Sequence, residues 1–202
     1  MTMSLLGITF DHLLGRLRAG ERSGSASVSQ REKNKKRINE MLSAMPKRWR
    51  RELDAARAEQ RHLGLPVTPE EPTADDIIET VLEITAGERS PKTSRWAGPR
   101  GEADVIVYDD IMDEAMRGLE LSYREDYPGW KFIGLARAMQ LATRVKIWQR
   151  SMARAREYLR RHQKDKRGKG FGDEKKPSDG YMAYLNWGGE PAWDAWQRKK
   201  RS

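Results

Sequence analysis

The side chains best able to do chemistry in this chain are a set of cations and one amide: Arg144, Lys146, Gln149, Arg150, Arg154, Arg160 and Arg161, with Lys131 a little upstream. Interleaved with them are Val145, Trp148, Met152, Ala155 and Leu159, alternately three and four residues apart. That spacing puts the apolar five on one face of an α-helix and the cations on the others. Such a rod can lie in a major groove, where Arg and Gln hydrogen-bond base edges while further cations neutralise phosphates. On this reading Arg144, Lys146, Gln149 and Arg150 face the groove, Lys131, Arg154 and Arg160 sit near phosphates, and Arg161 belongs to the same DNA-binding face. A second cationic patch, Lys47, Arg48, Arg50 and Arg51, brackets Trp49. It suits a phosphate backbone with one base stacked on the indole. The competing reading in both places is a solvated basic face over a packed helix.

Catalytic chemistry has no comparable signal. Cysteine is absent, which removes disulfides, thiolate metal sites and cysteine nucleophiles. The histidines His12, His62 and His162 lie in separate segments without a second metal ligand at ligand spacing, and read as surface residues. No phosphate-binding glycine loop, serine elbow or zinc-helix motif occurs. Asp75-Asp76 and Asp109-Asp110 are sequence neighbours, about 100° apart on a helix, and make no dyad. Asp109 and Asp113 share a face that could approach Mg²⁺, but no third group converges there. A non-enzyme with no metal and no cofactor is expected.

The elements that must position the cations come next. Phe132, Leu135, Ala138 and Leu141 form a second apolar seam, with Ala138 small enough for close helix approach. Ala142-Thr143 reads as the turn, with Thr143 as N-cap of the last helix. Two helices so close in sequence match a helix-turn-helix, the last helix being the reading helix. Such a pair also serves at times as a protein-docking element.

At these residues the chain resembles sigma-factor region four and its phage relatives, including the antitermination protein Q group. The likeness covers residues 105–162. It rests on Ala138, Leu141, the turn at Ala142, Ile147-Trp148, Met152 and the closing Ala155-Arg156-Glu157-Tyr158-Leu159. Leu121-Ser122-Tyr123-Arg124-Glu125-Asp126 resembles the end of the helix that precedes such a motif. The turn glycine of the pattern is Ala142, its serine cap is Arg144, and Tyr127-Pro128-Gly129-Trp130 lengthens the link. The resemblance implies duplex DNA binding through the last helix and contact with bacterial RNA polymerase.

Composition agrees with a polyanionic partner. The 202 residues carry a formal charge of +9, with 37% hydrophobic and 34% charged residues. The charge is also segregated. Gln30–His62 has eleven Lys/Arg against five acids, 70–126 has sixteen acids against six, and Arg144–Arg167 has ten against two. The pattern predicts a bipolar molecule, a cationic reading surface beside an acidic shoulder that keeps DNA away or meets a basic protein patch. No apolar run approaches the roughly 20 residues of a membrane span. The N-terminus lacks a signal-peptide cleavage pattern. A cytoplasmic protein is expected, in the host bacterium's cytoplasm if phage-encoded.

The predicted fold is all-α: a helix-turn-helix core with a flexible basic N-terminal segment and a C-terminal arm. In chain order the expected units are an amphipathic helix over 1–19, a Ser/Gly-rich link over 20–29 and a basic helical segment over 30–64. A Pro-rich connector over 65–72 and the helix-turn-helix domain over 73–162 follow. Within that domain Thr73 caps a helix burying Ile77, Ile78, Val81, Leu82 and Ile84 and ending at Gly87. Trp96 anchors a loop, and a helix from about Glu102 to Tyr123 buries Val107, Ile111, Met112, Ala115, Met116, Leu119 and Tyr123. Residues 163–180 read as a flexible Lys/Gly-rich linker. The Trp-rich tail over 181–202 either folds back or meets a partner, a homo-oligomer contact among the options. The leading expectation is a DNA-binding transcription regulator. The rivals are a phage small-terminase-like DNA-packaging subunit and a helical protein-binding adaptor.

Overall fold

A computed structural model describes residues 28–85 and 105–197. The expected helix over 1–19, most of the link after it, His12, the helix end at Gly87 and the Trp96 anchor lie outside the described residues. The architecture is all-α, as expected. Helix α1 spans residues 28–43 and buries Arg31, Asn34, Ile38, Met41 and Leu42 at helical spacing. Pro46 separates it from α2 (Lys47–His62), because proline cannot donate into a continuing helix. Past α2, Gly64 takes φ +66 while the Leu65 amide donates to the Gln60 carbonyl at 2.9 Å. This left-handed helix end favours glycine.

Thr73 caps α3 (Ala74–Ile77), as expected, and does so through a reciprocal capping box with Asp76. The helix continues as a π-helix over Ile78–Thr85, and Ile77, Ile78, Val81 and Leu82 are fully buried. The expected helix from Glu102 is shorter. Val105–Ile106 is strand β1, and α4 runs Asp109–Arg124. The β-branched run Val105-Ile106-Val107 explains the difference, since it suits a pleated surface better than a first helical turn. Next come a 3₁₀ turn at Trp130–Phe132, α5 (Ile133–Thr143), strand β2 (Lys146–Ile147) and α6 (Gln149–Arg161).

The segment expected as a flexible linker, 163–180, is built into the fold. A 3₁₀ helix covers His162–Arg167, and Phe171 contacts the rings of Tyr181 and Tyr184. Helices α7 (Asp179–Asn186) and α8 (Gly189–Gln197) then fold back, so that Trp187 and Trp196 join the same core as Trp49 and Phe132. The cost of leaving indoles in water favours this outcome among those expected for the tail.

Helix α4 is central, lying along α5 and α7 and against α8. Its closest approach is at Gly118, where an added Cβ would meet Asn186 Oδ1 at 2.6 Å and the Asn186 amide nitrogen at 2.8 Å. Opposite, buried Arg31 of α1 ties three segments together. It donates to the carbonyls of Leu141 at 3.1 Å, Arg144 at 2.8 Å and Val107 at 2.7 Å. Asn34 donates to the Ala142 carbonyl at 3.1 Å. Helix α1 thus caps the negative end of α5, where a cation is favoured.

Candidate nucleic-acid interface

Helix α6 was expected to begin at Thr143 and to rest on α5. It does neither. Helix α5 continues through Thr143, whose hydroxyl donates back to the Met139 carbonyl at 2.7 Å. The chain is extended at Arg144, bends at Val145, continues as strand at Lys146–Ile147, and Trp148 occupies the N-cap position of α6 without a side-chain cap bond. Val145 and Trp148 therefore leave the predicted seam and stand at the surface. The remaining seam holds. Ser151, Met152, Ala155 and Leu159 are buried. Their support is α8 rather than α5, so the returning Trp-rich tail is the backing of the cationic helix.

The end of α6 is fixed by a ring stack. Tyr158 lies between His162, at 4.1 Å, and Trp187, at 4.3 Å. Burial holds the Tyr158 phenol well above its ordinary pKa. His162, expected as a surface histidine, is half-buried in this stack, its Nδ1 2.8 Å from the Asp165 carboxylate. The indole of Trp187 also lies under the buried Arg137 guanidinium at 5.3 Å. A basic residue within an otherwise apolar α5 face was the signal for this contact.

The outer face of α6 carries five arginines and one glutamate. Lys146 and Gln149 are exposed, while Arg150, Arg154 and Arg156 are partly covered. Arg160 grips Glu157 with two bonds, at 3.0 and 2.7 Å, and Arg161 approaches the same carboxylate at 3.8 Å. Arg160 holds the Glu157 carboxyl below its usual range. All three side chains are exposed, so these pairs are weak and can be exchanged for phosphate. Beyond the helix, exposed Lys164, Arg167 and Lys169 extend the cationic strip, which spacing on a single helix did not capture.

Two of the candidate residues do not join this surface. Arg144 turns to Asp75 at 3.3 Å, a carboxylate that also takes Lys35 at 2.6 Å. Lys131 adopts φ 49 and reaches Glu59 of α2 at 3.4 Å. The acidic shoulder draws off Arg144 and α2 draws off Lys131, partners that sequence distance concealed. The patch Lys47, Arg48, Arg50 and Arg51 is exposed at the start of α2. Cations there oppose the helix dipole at about 0.3–1 kcal/mol each. Asp126 offsets this by accepting from the Arg48 amide at 3.0 Å. Trp49 stacks on no base. It is fully buried, donates to the Tyr127 carbonyl at 2.8 Å and meets Tyr123 and Phe132 edge-on.

A relation between the two strand–helix units is also visible. Strands β1 and β2 pair antiparallel, with Ile106 opposite Lys146 and Val105 opposite Ile147. The Val107 amide donates to the Val145 carbonyl at 2.9 Å. A local two-fold axis through this ribbon relates residues forty positions apart in the sequence. At that spacing Val105 corresponds to Val145, Val107 to Ile147, Tyr108 to Trp148, Met112 to Met152, Ala115 to Ala155 and Leu119 to Leu159. The N-cap angles agree, φ −69, ψ 159 at Tyr108 and φ −67, ψ 148 at Trp148. The first helical bond of each unit is 3.1 Å. In both units the strand residue before the cap and the four helix positions 111/151, 112/152, 115/155 and 119/159 are buried. The charges differ: Asp110 and Glu114 stand where Arg150 and Arg154 do. A self-comparison of the sequence at this spacing exposes the repeat.

Fold and surface together define an all-α protein displaying a cationic helix. No protein-family model matches the chain, and no curated protein and no solved structure matches it. Among the described residues, no group of three or more His, Asp or Glu is arranged to hold a metal ion. None of their helices is long and apolar enough to cross a membrane.

Proposed function

We propose that the chain binds duplex DNA through the outer face of α6 and regulates transcription. One observation carries this reading. Helix α6 buries Met152, Ala155 and Leu159 and turns its five arginines to the outer and flanking surface. Lys146 and Gln149 precede them at the exposed start of the helix, where base edges are most readily reached. Arg160, Arg161, Lys164 and Arg167 follow the backbone. The acidic shoulder borders this surface at Asp75, which pairs with Arg144 at 3.3 Å, and disfavours DNA on that side. The setting, antitermination or late transcription with bacterial RNA polymerase as partner, rests on the sequence resemblance alone. The long extended link between α5 and α6 departs from that pattern, so groove entry rests on α6 itself.

A helical adaptor is the second reading, favoured by the apolar side chains exposed beside α6 on the ribbon. Selection of bound fragments from a random duplex pool, with and without RNA polymerase, separates the two. An enriched sequence motif is expected. The double change Gln149→Ala with Arg150→Ala should erase sequence preference, and Arg160→Ala should weaken all duplexes and flatten the salt slope. Absence of duplex binding even at low salt would sink the DNA reading and leave the adaptor. A stable ring of protomers on DNA would instead place the chain among packaging subunits.

A further inference from the structure

Exposed large apolar side chains are rare on the described surface, and they cluster. Seven are exposed in all, and four of them, Ile106 (50%), Tyr108 (57%), Val145 (44%) and Trp148 (39%), belong to the β1–β2 ribbon or its immediate ends. Side chains alternate across a pleated ribbon, so its register divides the residues into two sets. Val107 and Ile147 point into the core and are buried. Ile106, Tyr108, Lys146 and Trp148 share the other face, and all four are exposed. An apolar face of this kind on a two-stranded ribbon has its edges and one side unpartnered, which soluble proteins ordinarily avoid.

The charges bordering the face identify what covers it. The local two-fold axis divides it into halves of opposite sign. On the Tyr108 half stand Asp109, Asp110 and Asp113 of α4. On the Trp148 half stand Lys146 and Arg150. The acidic half is crowded: the Asp113 carboxyl is raised by burial and then by Asp109 and Asp110, with Arg31 acting the other way. A nucleic-acid strand would meet that half at a penalty. A second copy of the same face, turned over about an axis in the plane between the halves, sets acid on base twice and apolar on apolar at the centre. Two-fold interfaces require such a self-complementary patch.

We propose that the outer face of the β1–β2 ribbon, with the first turns of α4 and α6, is an isologous interface for a second copy of this chain. Lys146 and Arg150 serve both this interface and the proposed groove contact, so duplex DNA and the second copy compete at the start of α6, and self-association is tested without DNA. Trp148 and Tyr108 supply the buried aromatic anchors that dominate such contacts, and the charged rim sets orientation.

The test is sedimentation equilibrium of the full chain over a concentration series. Wild type should reach a dimer. Ile106→Arg, on an exposed site, should be monomeric with an unchanged thermal melt. Arg150→Glu offsets Lys146 and so neutralises the basic half, and Asp110→Lys offsets one of the two remaining carboxylates and so leaves the acidic half with only one net negative charge. Each should weaken self-association at least about tenfold. Mixed one to one, they should restore a dimer containing one copy of each. Should Asp110→Lys melt early, Asp113→Lys, one turn along, replaces it. A wild type that stays monomeric overturns the proposal, as do single charge reversals that dimerise like wild type, or two variants that fail to combine. A monomer whose binding to a single-stranded oligonucleotide is lost in Trp148→Ala assigns the face to nucleic acid and likewise overturns it.

Discussion

Arg31 is the most informative residue to remove. It is buried, on a helix expected from sequence to belong to a flexible basic N-terminal segment, and it donates to three backbone carbonyls from two distant parts of the chain. A hydrogen bond to a charged group contributes about 1.5–3 kcal/mol net, and a buried acceptor left without its donor costs about 1–3 kcal/mol. Three such bonds set an upper range of roughly 5–9 kcal/mol if additive. Water entering the space left by Arg31→Ala restores part of this. The 3.7 Å pair with Asp109, 45% exposed on the carboxylate side, adds at most about 1 kcal/mol. The expected loss is about 3–5 kcal/mol, the range for breaking a buried charged network. In urea, at about 2 kcal/mol per molar, the midpoint should fall by roughly 1.5–2.5 M. Arg31→Lys should recover little, because one ammonium on a flexible stem cannot span carbonyls that a planar guanidinium fork reaches together. Burial lowers the Arg31 pKa, with Asp109 and Asp113 opposing, and the residue stays charged across the accessible pH range. A midpoint shift below about 0.5 M for Arg31→Ala, roughly 1 kcal/mol, would refute the role assigned to it.

Gly118→Ala should destabilise by about 1–3 kcal/mol in the same assay, although alanine is the better helix former. The new Cβ meets the Asn186 amide nitrogen at 2.8 Å and the Leu185 carbonyl carbon at 2.9 Å, which are backbone atoms that move only with α7. Trp49→Phe should cost about 1–3 kcal/mol and leave the proposed duplex affinity unchanged, since it loses the bond to the Tyr127 carbonyl but touches no surface. A drop in affinity without a drop in stability would contradict its placement. Asp113→Asn should raise stability near neutral pH. A carboxyl whose pKa is raised in the fold disfavours the folded state once ionised. Its penalty is absent below the unfolded value of 3.8 and grows as pH rises through the folded value. Urea midpoints for variant and wild type should therefore converge at about pH 3 and separate by pH 7, with the variant higher.

What could be read from the chain was whatever depends on near neighbours. The cap at Thr73, the break at Pro46, most of the buried stripes of α3, α4 and α5 (Ile84, Met116 and Tyr123 are only partly buried), and the Met152, Ala155, Leu159 seam of α6 follow from spacing within a turn or two. So does the outward placement of Arg160 and Arg161, because burying uncompensated cations is costly. Where those elements rest was settled by contacts between residues far apart in the chain. The pairing of β1 with β2 converted an expected tight turn into an extended link and freed Trp148 from its seam. The return of α7 and α8 placed Trp187 and Trp196 behind α6, making a supposed tail the support of the cationic helix. Arg144 and Lys131 left the candidate surface for Asp75 and Glu59, partners 69 and 72 residues away. Local periodicity reports which face of a helix is apolar. It carries no information on which distant apolar face will cover it, because burial rewards area whatever its position in the chain.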